Sequence, residues 1–150
     1  MGLIGALLPF GAATQLSEHN GAFLWYNIGH IVGIVALILY IVGIVTSWLL
    51  VGLILLLVWF VLEVVCTVLL LVGSIFHIMA CKGDEGIVSA FKSFGLSIVG
   101  ACTLSFYTFV VHAVSLATLW VGVGFIIILV AYVLDIVCFV IAFLAAKKEA

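Results

Sequence analysis

Val61-Leu62-Glu63-Val64-Val65-Cys66 places a carboxylate inside an unbroken apolar run, and the pattern returns 72 residues later as Val133-Leu134-Asp135-Ile136-Val137-Cys138. At this offset residues 46–66 align with residues 118–138, and 11 of the 21 positions are identical. A chain rich in Val, Leu and Ile matches itself often, so the scarce pairs carry the comparison: Thr46 with Thr118, Trp48 with Trp120, Gly52 with Gly124 and Cys66 with Cys138. The pattern is that of a tandem duplication, each copy ending in a helix with one acidic group where a membrane would be driest.

Composition sets the solvent. With 69% hydrophobic and 7% charged side chains in 150 residues, the chain lies outside the range of soluble domains, which are about 45–50% apolar and about 25% charged. A hydrocarbon core of about 30 Å takes roughly 20 apolar residues per helix, and Ala22 to Ala146 has room for four crossings joined by very short turns. A transmembrane β-barrel would alternate apolar and polar residues over segments of about 10. Runs such as Leu53 to Leu62 and Ile126 to Val130 do not. The expected fold is therefore an all-α integral membrane protein, with four transmembrane helices forming two tandem hairpins in a parallel pseudo-repeat.

Residues 1–21 are expected to form an interfacial and polar segment, because Met1 to Phe10 is too short to span and lacks the positively charged start of a secretory signal. The first hairpin is expected over 22–80, a cytosolic loop over 81–86, the second hairpin over 87–146 and a cytosolic tail over 147–150. Within them, helix 3 is expected to end near Val114, and Ser115 to Trp120 to turn the chain into helix 4. Lys82, Lys92, Lys147 and Lys148 all fall on the side of the central loop and the C-terminus, so both termini are expected to face the cytosol. Gly29, Gly33 and Gly43 offer places for close helix contact.

The chemistry-bearing groups lie mid-span. Glu63 is 14 residues from Leu49, Asp135 is 16 from Leu119, and His30 is 15 from Val45. At about 1.5 Å per residue these three share one depth. They form a candidate intramembrane ion or proton site, with Cys66, Cys138, Thr67 and Tyr132 as supporting groups. The alternative is structural, with both acids protonated and hydrogen-bonded so that they hold helices together. Spacing puts Gly52, Leu56, Trp59, Glu63, Cys66 and Leu70 on one helix face, and Gly124, Ile128, Ala131, Asp135, Cys138 and Ala142 on the matching one. Both faces are expected to turn inward, because an ionisable group facing lipid costs about 2.5–3.5 kcal/mol even on the gentler scale. His112 and His77 fall near helix ends and read as interfacial.

Cys66 and Cys138 each follow an acid by three residues, a spacing that could supply a thiolate metal ligand. A buried cysteine is more often small apolar packing, so no metal or cofactor is expected. No disulfide pairing is indicated. Cys81, beside Lys82 at the membrane boundary, is a candidate palmitoylation site. Nothing in the chain matches a phosphate loop, a nucleophile elbow, a metalloprotease motif or a basic nucleic-acid patch, so neither an enzyme nor a nucleic-acid or soluble-substrate binder is expected.

In helix count and in Glu63 and Asp135 the chain resembles the four-helix rotor proteolipids of vacuolar-type ATPases. It departs from them where Trp59, Phe60, Phe125 and Tyr132 stand in place of the Gly- and Ala-dense helices of a packed ring. In outline it is also similar to tetraspan families of vesicles and cell junctions, with no motif that carries residues over. The expected function is a non-enzymatic, multi-pass tetraspan that organises membranes or serves as an accessory subunit of a larger complex. Its partners would be lipids, other transmembrane proteins or copies of itself. The alternative is a small proton or cation conductor, or a ring-forming subunit, using Glu63 and Asp135.

Overall fold

The computed structural model describes residues 20–80 and 98–149. They form four α-helices: α1 (Asn20–Val45), α2 (Leu50–Ala80), α3 (Ile98–Thr118) and α4 (Gly124–Glu149). A short 3-10 turn, Leu119–Val121, links the last two. Each helix, α3 together with its 3-10 continuation, supplies a stretch long and apolar enough to cross a membrane: Gly21–Val45, Leu50–Ala80, Val99–Val121 and Gly124–Ala145. The central loop, the approach to α3, the N-terminal segment and Cys81 lie outside the described residues.

The bundle's principal packings are α1 along α2 and α3 along α4. Both turns are tight for the same local reasons. Thr46 and Thr118 return their hydroxyls to the carbonyls four residues back, Val42 and Val114, at 2.6 and 2.7 Å. Such bonds satisfy helix-end acceptors that lipid cannot. Gly52 and Gly124 lie so close to turn backbone that a Cβ would overlap the Thr46 carbonyl in one case and the Ser115 carbonyl in the other. The second turn closes through Gly122, at φ 90°, a left-handed conformation that glycine adopts without penalty. Trp48 and Trp120 project outward at the two turns, 79% and 86% exposed.

Three boundaries differ from expectation. α3 does not stop near Val114: the Thr118 hydroxyl satisfies the Val114 carbonyl in its last turn, while the Ser115 hydroxyl donates to Gly124 O at 2.8 Å and ties α3 to the start of helix 4. Helix 4 starts at Gly124 rather than beside Trp120, which stays in the 3-10 turn, and it continues through the lysines to Glu149.

Both expected stripes are turned inward. Gly52, Trp59, Glu63, Cys66 and Leu70 are buried with Leu56 half-buried, and Gly124, Ile128, Ala131, Asp135, Cys138 and Ala142 are all buried. Every Asp, Glu and His in the four spans is buried. The outer surface is apolar, from Val35 and Ile38 on α1 to Val133 and Val140 on α4. The interior is layered. Ala22, Phe23, Tyr26, Cys66, Leu70, Ala101, Cys102 and Ala142 make one apolar cluster. Ala36, Tyr40, Trp59, Ile128, Ala131 and Tyr132 make the other, nearer the turns. His30, Glu63, His112 and Asp135 lie between these two dry layers.

Candidate functional site

The site forms where all four helices approach one another. Glu63 from α2 and Asp135 from α4 face inward on their stripes, His30 comes from α1 and His112 from α3. His30 Nδ1 lies 2.6 Å from Asp135 Oδ1, and His112 Nδ1 lies 2.6 Å from Glu63 Oε2. His30 of the α1–α2 pair thus serves the acid of α4, and His112 of the α3–α4 pair serves the acid of α2. His112 Nε2 also reaches Asp135 Oδ2 at 2.7 Å, so one imidazole bridges both carboxylates. All four side chains have zero solvent exposure.

Neighbouring groups saturate what remains. The Tyr132 hydroxyl donates to Glu63 Oε1 at 2.9 Å and itself accepts from Trp59 Nε1 at 2.6 Å. Thr67 donates to the Glu63 backbone carbonyl at 2.9 Å and to Oε2 at 3.2 Å. His30 Nε2 pairs with Ser105 Oγ at 2.8 Å. Cys66 donates to Gly29 O at 3.2 Å, with its sulfur 3.9 Å from His112 Nε2. Cys138 pairs with Thr108 at 3.2 Å. The result is a hydrogen-bonded chain running Ser105, His30, Asp135, His112, Glu63, Tyr132, Trp59. Comparison with family models, curated proteins and solved structures finds no match.

The bonds fix a proton count. Three bonds join the four ionisable side chains, and each holds one proton between a nitrogen and a carboxylate oxygen. If Ser105 donates to His30, the four groups hold three protons and carry a net charge of −1. If His30 donates to Ser105, they hold four and are neutral. The neutral count is favoured in a dry interior, where an uncompensated charge is costly. The two states differ by one proton and one hydroxyl rotation.

A second polar group lies toward the opposite end of the bundle from the turns. Tyr26 bonds Ser74 at 3.1 Å and His77 at 3.2 Å. The Tyr26 and His30 rings stack at 6.4 Å, so this group adjoins the central chain.

His30, Glu63, Asp135, Cys66, Thr67 and Tyr132 thus meet in or beside one network, and Cys138 lies against His30 and Thr108 at its edge. His112 and His77, expected at the interface, are fully buried. An end of α3 near Val114 would put His112 at the boundary. The helix and its 3-10 continuation reach Val121 instead, which sets His112 about 15 Å below the tip, close to the level of Asp135. A signal for it was present in α3. Ser105, Thr108, His112 and Ser115 recur at spacings of three and four on a largely apolar helix, and all four are buried. His77 extends the Glu63 stripe through Ser74 in the same way.

Gly33 is part of the site through what it lacks. A Cβ there would overlap Asp135 Oδ2 and lie 3.2 Å from Cys66 Sγ. At Gly29 a Cβ would meet mainly the far end of Leu70, a flexible side chain. Gly33→Ala is therefore expected to lower the unfolding midpoint in detergent by the equivalent of about 1–3 kcal/mol, and Gly29→Ala by less. Equal effects would mean that Asp135 does not abut α1 at Gly33.

Proposed function

We propose that this is a multi-pass membrane protein whose bundle takes up and passes protons through its interior. The observation that carries the reading is the unbroken link His30, Asp135, His112, Glu63 across four helices, with His112 between both acids. An imidazole accepts a proton on one nitrogen and releases another from the second, so charge can pass between the carboxylates without either leaving its place. Stability alone is a poor reason for such a core. Buried ion pairs are often no better than well-packed apolar residues, whereas ionisable groups within spans characteristically mark relays and pathways. Tyr132 and Trp59 on one side, and Tyr26, Ser74 and His77 on the other, extend polar groups along the axis. The described conformation is occluded, and passage requires the two apolar layers to open in turn.

The topology that accompanies this reading is two tandem hairpins derived from one duplicated unit, with both termini cytosolic. The equivalent roles of Thr46 and Thr118 and of Gly52 and Gly124 support the duplication. The lysine distribution supports the orientation.

Proteoliposomes containing a pH-sensitive dye test the function. Wild-type protein is expected to relax an imposed pH gradient, and Glu63→Gln or Asp135→Asn to bring the rate to that of empty vesicles. A wild-type rate equal to that of empty vesicles would overturn the reading.

One observation favours a second reading. Both oxygens of each carboxylate are already partnered and the outer surface is apolar, as suits a non-enzymatic tetraspan that works through lateral contacts as a membrane organiser or accessory subunit. In that case the same substitutions change assembly and yield with no flux to lose.

A further inference from the structure

We propose that Cys66, His112 and Asp135 form a binding site for one divalent transition-metal ion of the zinc class. The proposal rests on the proton-carrying reading of the same side chains and names the cation that exchanges with those protons. Cys66 Sγ, His112 Nε2 and Asp135 Oδ2 converge beside Gly33. The sulfur lies 3.9 Å from Nε2, Nε2 lies 2.7 Å from Oδ2, and the absent Gly33 side chain leaves the acid and the thiol adjacent. Glu63, Cys66 and His112, a group that shares two of these three residues, offer ligand atoms that all lie within 4.8 Å of one another.

Ligands sharing a tetrahedral Zn²⁺, with bonds of about 2.0–2.1 Å to nitrogen and oxygen and about 2.3 Å to sulfur, stand about 3.6 Å apart for N and S and about 3.3 Å for N and O. The sulfur is already near that separation. Asp135 has to draw back by about 0.6 Å from Nε2, which removes the hydrogen bond that the metal replaces. His112 Nδ1 meanwhile keeps its 2.6 Å bond to Glu63. A carboxylate behind a ligating imidazole is the arrangement that orients metal-bound histidines. His30 supports Asp135 in the same way through Oδ1.

The exchange balances. Binding displaces the thiol proton of Cys66 and the proton shared by His112 Nε2 and Asp135 Oδ2. A doubly charged ion replaces two protons, and the charge of the dry layer does not change. Nitrogen, sulfur and carboxylate donors suit zinc rather than calcium or magnesium, which take oxygen ligands.

Co²⁺ titration of the full chain in detergent tests the site, with Cys81→Ser in every sample to remove the boundary thiol. One ion per chain is expected, with the strong visible bands of a tetrahedral site and an ultraviolet thiolate-to-cobalt band. Cys66→Ser should remove the ultraviolet band and weaken binding at least about tenfold, while Cys102→Ser keeps both. X-ray absorption of Zn²⁺ bound to the same protein without the Cys66 substitution should report one sulfur in the first shell, whether or not Cys66→Ser folds. Sub-stoichiometric binding, a sulfur-free shell, or a thiolate band surviving in folded Cys66→Ser would each overturn the site. Vesicle flux separates the two ideas. Stoichiometric metal with no proton flux retains the site and removes the proton reading; flux with no metal does the reverse.

Discussion

His112→Leu is expected to unfold or severely destabilise the bundle, by about 3–5 kcal/mol relative to wild type, because it strips one buried partner from each of two acids. Leucine fills the volume but offers no donor, so Glu63 Oε2 loses its strongest partner and Asp135 Oδ2 is left facing hydrocarbon. Thr67 remains to Glu63 Oε2 at 3.2 Å and cannot replace a charge-assisted bond of 2.6 Å. His112→Gln, which still offers a donor and an acceptor, should fall between wild type and His112→Leu. Thermal unfolding in detergent, with elution profile as a second readout, measures the series. A His112→Leu midpoint equal to wild type would mean that this ring does not bridge the acids.

Removing the whole set has the opposite expected consequence for stability. In a protein carrying His30→Leu, Glu63→Leu, His112→Leu and Asp135→Leu together, no buried charge is left without a partner. Four apolar side chains then bridge the layers above and below. Replacement of a complete buried ionic group by apolar residues is often neutral or stabilising by about 1–4 kcal/mol, so this variant should be at least as stable as wild type and clearly more stable than His112→Leu. Its proton flux should be nil. The contrast separates the two proposed roles: a core kept for passing protons is dispensable for folding, whereas a structural core is not. If the fourfold variant is as unstable as His112→Leu, the network is structural glue and the lateral-contact reading gains.

Much of the architecture was legible because a membrane makes its demands locally. Each crossing needs a long apolar run, and the breaks around Thr46 and Thr118 mark the two described turns. Glu63, Asp135 and His30 stood out as scarce ionisable residues within such runs, and helical spacing gave the inward direction of two stripes. What periodicity could not supply was which helix each side chain would meet. The exchange in which His30 serves Asp135 and His112 serves Glu63 depends on how the hairpins dock, over separations of 105 and 49 residues. The depth of His112 is hidden for a smaller reason: Ser115 and Thr118 have the character of turn residues, yet the Thr118 hydroxyl satisfies Val114 O within α3 and the Ser115 hydroxyl reaches across to Gly124 O. The polar stripe Ser105, Thr108, His112, Ser115 points to the interior as clearly as the acidic stripes do.

Nitrogen-15 NMR of His112, in uniformly labelled protein reconstituted in lipid and assigned by comparison with His112→Gln, tests the shared network most directly. Both ring nitrogens should carry or share a proton, each coupled to a carboxylate carbon, one from Glu63 and one from Asp135. A single neutral tautomer with one bare nitrogen, exchanging freely with water and without contact to either acid, would contradict it.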